Sequence, residues 1–236
     1  MASDAPRFGP LKLASPADIL RLGIVCAAGF RYSEQFIWER TAHEQHPQCT
    51  IVCFRHEVQE FIRDPQYIAL VILDGYDPGE SSKTIAVIPK DNGWTPPAAD
   101  PYPDLPKYDY KDLDRQRSRA FEDVAGAAAK RYFGGLSEME RVVVHPAYWK
   151  RGHGSKIAKW GVDLADLDNV GQGVLATSMG ANLFRHVGYE FITNLHVDGD
   201  GCDPEGVTFE ALRHRTGQKD QGLKCNVLKR PFRQDP

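Results

Sequence analysis

The stretch that most constrains the fold lies in the second half of the chain, where residues 148–161 are YWKRGHGSKIAKWG. It follows an apolar run that ends at Pro146, and it precedes a segment with apolar residues at helical spacing. Two glycines one residue apart, Gly152 and Gly154, therefore stand where a helix is predicted to begin. Helices disfavour glycine by about 1 kcal/mol relative to alanine, so we expect the bare backbone to serve a purpose there.

A bound anion would explain these glycines. Backbone N–H groups in the first turn of a helix have no partner within the helix, and the helix dipole places positive charge at the same end. Glycine also lets a phosphate approach the backbone without interference from a Cβ atom. The ATP-binding pattern G-x-x-x-x-G-K-[ST] is absent, and Ile157 breaks the dinucleotide-binding pattern G-x-G-x-x-G. The alternative is a turn that packs the helix close to a sheet.

Composition indicates one soluble globular domain that spans residues 1–236. The chain is 42% hydrophobic and 26% charged, which suits a protein with a full core. Its net charge of -3 provides no global positive field, so we expect no nucleic-acid partner. No apolar run approaches the roughly 18 residues of a membrane span, and the first residues lack a signal-peptide pattern. The five cysteines, an odd number, favour reduced thiols and a cytoplasmic protein without membrane association.

Hydrophobic periodicity predicts an α/β fold. Strands are predicted at residues 8–15, 67–74, 84–90, 138–146, 173–178 and 189–197, with a further strand near 224–228. Helices are predicted at residues 15–30, 33–45, 113–132, 154–168 and 181–188, with weaker helical evidence at 50–64. Residues 91–135 begin with a segment rich in proline, aspartate and aromatic residues, which is too long for a simple connection. We interpret residues 91–135 as an insertion that could form a substrate lid.

The region from Met139 to Phe191 resembles a known family through two segments, VVVHPAYWKRGHGSKIAKWGVDLA and GVLATSMGANLFRHVGYEF. Both are similar to the coenzyme-binding half of the GNAT superfamily of N-acetyltransferases, and to its fungal members in particular. The resemblance implies a mixed, mostly antiparallel, splayed sheet flanked by helices, with the insertion between the third and fourth strands. It also implies a transferase that uses acetyl-CoA as cosubstrate.

The resemblance implies a coenzyme site built mostly from backbone groups. The pyrophosphate would be held by the amides of Lys150, Arg151, Gly152, His153, Gly154 and Ser155. The backbone of Val142 and Val144 would pair with the pantetheine arm in the way that an added strand does. The ribose 3′-phosphate could meet Lys150, Arg151, Lys156 or Lys159, although each lysine alone is typical of a solvated helix face.

Two positions depart from the family pattern. Trp149 stands where the family signature has glutamine or arginine, three positions before the first glycine. Phe184 stands where many relatives have a tyrosine that protonates the departing CoA thiolate. Either the thiolate leaves unaided, because its conjugate thiol is fairly acidic, or the scaffold no longer transfers acetyl groups. Tyr189 is close in sequence, but its position in a strand predicts a packing role.

Acetyl transfer needs a neutral amine, so a general base helps when the acceptor arrives as an ammonium ion. Glu140 and Glu138 lie on one face of the predicted strand beside the coenzyme site, and we rank Glu140 first as the catalytic base. For each of them, a surface carboxylate or an ion-pair partner is the alternative. His145 at the strand end is a further candidate, and the amide of Val144 could donate to the thioester oxyanion.

A second cluster of reactive residues precedes the insertion. Cys49, Cys53 and His56 are spaced so that they would share one face of a helix, and thiolates with imidazole suit zinc. Because no C-x-x-C pair is present, buried thiols and a surface imidazole explain the pattern better, and we expect no metal.

The acceptor is expected near the first two helices and the insertion, beside the aromatic and acidic residues Trp38, Glu39, Tyr102, Tyr108, Tyr110 and Phe121. We expect a small-molecule amine rather than a peptide amine, and a monomer or homodimer. No cysteine lies between Met139 and Phe191, which favours direct attack over a covalent enzyme intermediate. Two alternatives remain: a GNAT scaffold recruited for other chemistry on a small metabolite, and a non-catalytic CoA-binding module.

Overall fold

The computed structural model describes residues 10–75, 77–83 and 101–216, which contain six α-helices and six strands. The strands are β1 (Leu11–Leu13), β2 (Leu70–Ile72), β3 (Ser137–Glu138), β4 (Gln172–Ala176), β5 (Glu190–Val197) and β6 (Val207–His214). The helices are α1 (Ile19–Phe30), α2 (Glu34–Glu39), α3 (Pro47–Arg63), α4 (Arg115–Tyr132), α5 (His153–Asp168) and α6 (Ser178–His186). This mixed α/β architecture confirms the predicted fold class. None of these helices is long and apolar enough to cross a membrane.

The strands form two sheets in the described part of the chain. β1 pairs with β2, and a four-stranded sheet has the order β3-β4-β6-β5. Only the β3–β4 pair is parallel among these pairings, so the sheets are mostly antiparallel, as predicted. The predicted strands at 84–90 and 224–228 lie outside the described residues.

β6 is the strand that sequence reasoning does not predict. Buried Val207, Phe209 and Ala211 alternate with the more exposed Thr208 and Glu210, which is the period of a strand with one face in the core. β6 lies between β4 and β5, so it is central to the sheet although it comes last in the described chain.

The predicted strand at residues 138–146 is wrong in its extent. β3 ends at Glu138, and the last hydrogen bond towards β4 runs from Met139 N to Gly173 O at 2.8 Å. Beyond it residues 140–144, which we call the diverging segment, leave β4 and pack against α1 instead. Gly29 permits this close approach, since a Cβ atom there would lie 2.4 Å from Val143 Cγ2 and 2.8 Å from Val144 O.

Two helix predictions also change in extent. α3 is a full helix from Pro47 to Arg63, although its apolar pattern indicates a helix only weakly. α2 ends at Glu39 rather than near residue 45, because Arg40 leaves helical dihedral angles and buries its guanidinium group against Asp112. The remaining predicted helices lie within a few residues of the observed ones.

Three groups of buried side chains hold the layers together. α5 and α6 pack on β4 and β6 through residues that include Ala158, Val162, Val174, Phe184 and Leu212. α1, α2 and α3 pack together through Ile24, Ala27, Phe36, Ile51 and Phe54, with Val143 of the diverging segment against them. α2, α4, β5 and β6 share Trp38, Phe121, Val197, Val207 and Phe209. The diverging segment therefore has helices α1 and α3 on one side and the four-stranded sheet on the other.

The described part of the predicted insertion contributes mainly α4. Asp114 caps this helix by accepting hydrogen bonds from the amides of Gln116 and Arg117 at 3.0 and 3.1 Å. Arg117 in turn donates to both carboxylate oxygens of Asp200 at 2.6 and 2.7 Å, and to Trp38 O at 3.0 Å. α4 is thus fixed to α2 and to the loop before β6. Residues 91–100 of the predicted lid lie outside the described residues.

Candidate active site

A cleft of about 1550 Å³ opens where the diverging segment leaves β4. Typical small-molecule pockets occupy about 300–1,000 Å³, so the cleft has room for two ligands side by side. One end is lined by the diverging segment and the amino terminus of α5, and the other end by residues of α1 to α4. The two ranked bases and all but one of the residues predicted to bind the coenzyme through their backbone line this cleft: Glu138, Glu140, Val142, Val144, Lys150, Gly152, His153, Gly154 and Ser155. The exception is Arg151.

The amino terminus of α5 presents bare backbone to the cleft. Gly152 is the N-cap with φ of 79°, in the left-handed region that favours glycine, and Lys150 also has a positive φ of 64°. Within the described residues no side chain caps the helix, so the amides of His153, Gly154 and Ser155 have no partner there. A Cβ atom at Gly154 would make an ordinary contact with Leu183 at 3.4 Å. Packing therefore does not require glycine at position 154.

The basic side chains of this loop bind acidic residues that follow β2. Arg151 donates to Asp74 Oδ2 at 3.0 Å and also pairs with Asp77. His153 Nε2 lies 2.8 Å from the same Asp74 oxygen. These contacts lower the pKa of Asp74 to about 2, first through His153, then through the Gly75 amide and Arg151. The Arg151 side chain is thereby engaged outside the cleft.

The other basic candidates for the ribose 3′-phosphate differ in their contacts. Lys159 pairs with Asp163 one turn further along α5. Lys150 and Lys156 form no ion pair among the residues that the structure describes. Lys150 lines the main cleft and Lys156 lies in a shallower depression beside it. Lys150 and Lys156 therefore remain the candidates.

Trp149, one of the two departures from the family pattern, contacts Val144 and Tyr32. Its indole Nε1 donates to Val144 O at 2.7 Å, and its ring packs edge-on against Tyr32 with 5.0 Å between centroids. Trp149 thus joins the glycine loop to the diverging segment. The carbonyl of Val144 is occupied, whereas its N–H group and the backbone groups of Val142 have no partner within the described ranges.

Phe184 places a hydrocarbon ring at the position where the resemblance implies a tyrosine in many relatives. It is buried, lines the cleft, and packs edge-on against Tyr189 with 5.1 Å between centroids. Tyr189 is buried in the same core group and donates to Gln172, so it packs as predicted. The hydroxyl groups of Ser33 and Thr177, 3.2 Å apart, line the cleft at the end of β4.

The predicted bases differ in exposure. Glu138 and Glu140 are exposed and form no ion pair in the described part of the chain. Partial burial of the Glu138 carboxyl group, and secondly the negative charge of Glu140, raise the pKa of Glu138. His145 is buried, accepts a hydrogen bond from the Ala147 amide at 3.2 Å, and does not line the cleft.

The end of the cleft lined by α1 to α4, where the sequence predicts the acceptor and which we call the acceptor end, rests on a buried polar network. Asp112 accepts hydrogen bonds from Arg40 at 2.5 Å, from Thr50 at 2.8 Å and from Tyr108 at 2.9 Å. Arg40, Tyr108 and Tyr110 line the cleft above it. Because every charge in the network is paired, it forms a rigid floor rather than a reactive group.

Glu39 is a buried carboxylate at this end of the cleft. The sequence places it only among the acceptor-side residues, yet it is 8% exposed and lines the cleft. In the sequence, only its position next to Trp38 on a short helix indicates that Glu39 is buried. That position does not show whether a cation lies next to the carboxylate. Tyr102, from the same predicted group, lies beside Arg63 and does not line the cleft.

The candidate zinc ligands do not converge. Cys49 Sγ donates to Asp109 at 3.0 Å, and Cys53 Sγ accepts from Arg40 at 3.2 Å. His56 Nε2 lies 2.8 Å from Pro106 O. No group of three metal-binding side chains occurs in the part of the chain that the structure describes.

Comparison with known proteins identifies the family. No protein-family model matches the chain. Among solved structures, one titled histone acetyltransferase HPA2 and related acetyltransferase, from Corynebacterium glutamicum, has a TM-score of 0.47 and 14% identity, and covers 89% of this chain and 97% of its own. A protein named acetyltransferase from Stachybotrys chartarum is 30% identical over 220 residues, which are 90% of this chain and 94% of that protein. The chain therefore belongs to the acetyltransferases, as the resemblance of its glycine loop predicts.

Proposed function

We propose that this acetyltransferase moves the acetyl group of acetyl-CoA to the primary amine of a small molecule. The observation that carries the proposal is that one cleft combines three kinds of unpaired group. Among the described residues these are the amides at the start of α5 that have no partner, the unpaired backbone of Val142, and the carboxylates of Glu39 and Glu122, which form no ion pair. A diphosphate, an amide-containing arm and an ammonium group complement them in that order.

The coenzyme end suits the two polar parts of CoA. The amides of His153, Gly154 and Ser155, together with the dipole of α5, would bind the diphosphate. The backbone groups of Val142 would hydrogen-bond the pantetheine amides, which leaves the N–H group of Val144 for the thioester oxygen. Since Trp149 occupies the Val144 carbonyl, we assign the pairing mainly to Val142.

The chemistry follows from the position of the thioester between these two ends. The amine nitrogen attacks the thioester carbonyl, the C–N bond forms, and the C–S bond breaks to release the CoA thiolate. A free N–H group at Val144 can donate to the oxygen that becomes negative in this step. Phe184 offers no proton, so the thiolate leaves unaided and takes up the proton released by the attacking nitrogen.

Gly154→Glu tests the coenzyme site. Gly154 has ordinary helical geometry and space for a Cβ atom, so the variant should fold, whereas its carboxylate would repel the diphosphate. Gly201→Glu is the matched control, because it adds the same charge to an exposed loop where a Cβ atom meets nothing within 4 Å.

The measurement is calorimetric titration with acetyl-CoA, followed by chromatographic detection of CoA release in the presence of primary amines. We expect micromolar affinity, about -8 kcal/mol, in the wild type and the control, and its loss in Gly154→Glu. Equal affinity in all three proteins would refute the coenzyme site. Tight binding without CoA release would refute amine acetylation.

A further inference from the structure

Glu39 is a buried carboxylate without a cation. Its residue is only 8% exposed, and its one hydrogen bond among the described residues comes from Gln35 Nε2 at 3.3 Å. It forms no ion pair with any residue in the described ranges. Burial of an unpaired carboxylate costs free energy of folding, so a protein that retains one has a use for it.

The cations nearest to Glu39 are already neutralised. Arg40, the next residue, pairs with Asp112 at 2.5 Å. Arg141, from the diverging segment, pairs with Glu57 of α3 at 3.0 Å. Glu122, which faces Glu39 from α4, adds a further negative charge. Lys107 also lines the cleft, but it forms no ion pair with Glu39 and is not among the charges that act on its carboxyl group. The Glu39 carboxylate is therefore left for a cation that the acceptor supplies.

The position of Glu39 is fixed from both ends of α2. At its start, Ser33 Oγ lies 3.2 Å from Thr177 Oγ1, next to the end of β4. At its end, Glu39 O accepts a hydrogen bond from the Asp114 amide at 2.8 Å. Groups that bind or react with substrates are most precise when a rigid element holds them in this way.

We propose that Glu39 binds the ammonium group of the acceptor and accepts its proton before attack, and hence that the acceptor is a cationic primary amine. This inference rests on the proposed function and names the group that performs its first proton transfer. Burial raises the pKa of Glu39 to about 7, supported by Glu122 and opposed by Gln35, Arg40 and Arg141. A carboxylate with such a pKa is half ionised near neutrality and is a stronger proton acceptor than an ordinary glutamate.

The protons and electron pairs balance without a further reagent. The ammonium group gives one proton to the Glu39 carboxylate and becomes a neutral amine with two hydrogens. Its lone pair forms the C–N bond, and the electrons of the breaking C–S bond leave with sulfur. The attacking nitrogen then gives one hydrogen to the thiolate and keeps one in the amide product. Glu39 returns its proton to water.

Glu138 and Glu140 are the rival bases, and their surroundings differ from that of Glu39. Both are exposed, so water competes for their carboxylates, whereas Glu39 meets the cleft from a buried position. Glu140→Gln therefore serves as a comparison variant. Glu44→Gln, five residues after Glu39 and on an exposed turn outside the cleft, controls for the substitution itself.

The test measures kcat/KM from acid to alkaline pH, with n-butylamine, 2-phenylethylamine and 1,4-diaminobutane as acceptors and saturating acetyl-CoA. Acetyl-CoA affinity is measured by calorimetry on the same proteins. In the wild type we expect kcat/KM to fall tenfold per pH unit below the pKa of Glu39. In Glu39→Gln we expect a loss of about 100-fold or more near neutral pH and unchanged acetyl-CoA affinity. The decline of kcat/KM in this variant should begin already below the ammonium pKa of the acceptor, about 10.4, because only amine that is neutral in solution can react.

The other outcomes would each overturn a specific statement. Equal kcat/KM in Glu39→Gln and the wild type would remove Glu39 as the base and leave the proposed function intact. Glu39 is also removed as the base if Glu140→Gln, rather than Glu39→Gln, moves the onset of the decline from about pH 7 to the ammonium pKa of the acceptor, or if Glu39→Gln loses acetyl-CoA affinity as well. A wild type that binds acetyl-CoA and acetylates none of these amines would overturn both the amine acceptor and the role of Glu39.

Discussion

Glu39→Gln also tests the buried carboxylate through stability alone, because glutamine has nearly the same shape and carries no charge. The pKa of Glu39 in the folded protein is about 7, against an ordinary value of 4.5. A folded-state pKa above the unfolded one means that the native protein binds more protons between these two values. The free energy of unfolding contributed by Glu39 therefore falls as the pH rises through this window, and the full cost is present above pH 7.

The magnitude follows from the size of the shift. At 1.36 kcal/mol per pKa unit, a rise from 4.5 to about 7 corresponds to ~3 kcal/mol. Glu39→Gln should therefore be ~3 kcal/mol more stable than the wild type near pH 8 and similar to it near pH 5. For a chain of this size, the same difference raises Tm by about 6–12 °C at the alkaline pH.

Urea unfolding at both pH values measures this difference directly. Glu44→Gln is again the control, since its carboxylate is exposed and 3.8 Å from Arg31, and we expect no pH-dependent change from it. A stability difference between Glu39→Gln and the wild type that is the same at pH 5 and pH 8 would refute the reasoning. A variant less stable than the wild type at pH 8 would do so as well.

Two further predictions concern the coenzyme end. Asp74→Asn should tighten acetyl-CoA binding several-fold in calorimetry, because it removes a negative charge near the start of α5 and releases Arg151, which Asp74 holds outside the cleft. Unchanged or weaker affinity would contradict this. Gly29→Ala should lower the free energy of unfolding by about 1–3 kcal/mol in urea titrations, because its Cβ atom would lie 2.4 Å from Val143. Gly126→Ala is its control, since a Cβ atom meets nothing there within 4 Å.

The geometry of the glycine loop before α5 is predictable from the sequence because its determinants are local. The left-handed Gly152 and the first turn of α5 depend on a few consecutive residues, and the sequence pattern contains them all. The end of β3 is not predictable, because it depends on pairing with Gly173 across more than thirty residues. The sequence does not predict β6, because the apolar pattern of Val207, Phe209 and Ala211 is weaker than the patterns of the earlier strands.

The proposed role of Glu39 cannot be derived from the sequence either, and the physical reason differs from those for β3 and β6. Its burial depends on α4, whose Asp114 amide binds the Glu39 carbonyl from a distant part of the chain. The absence of a cation depends on the pairing of Arg40 with Asp112 and of Arg141 with Glu57. Local patterns show which charges are present, but only the packed structure shows which of them neutralise each other.

The strength of Glu39 as a base also bears on the choice of acceptor. An alkylammonium group has a pKa of about 10.4, the value of a lysine side chain, so transfer of its proton to a carboxyl group of pKa about 7 costs ~5 kcal/mol. Ammonium groups of lower pKa cost less, by about 1.4 kcal/mol per unit. Because Phe184 gives no help at the leaving group, this first proton transfer weighs heavily in the barrier. A site built in this way favours weakly basic primary amines over strongly basic ones of the same shape.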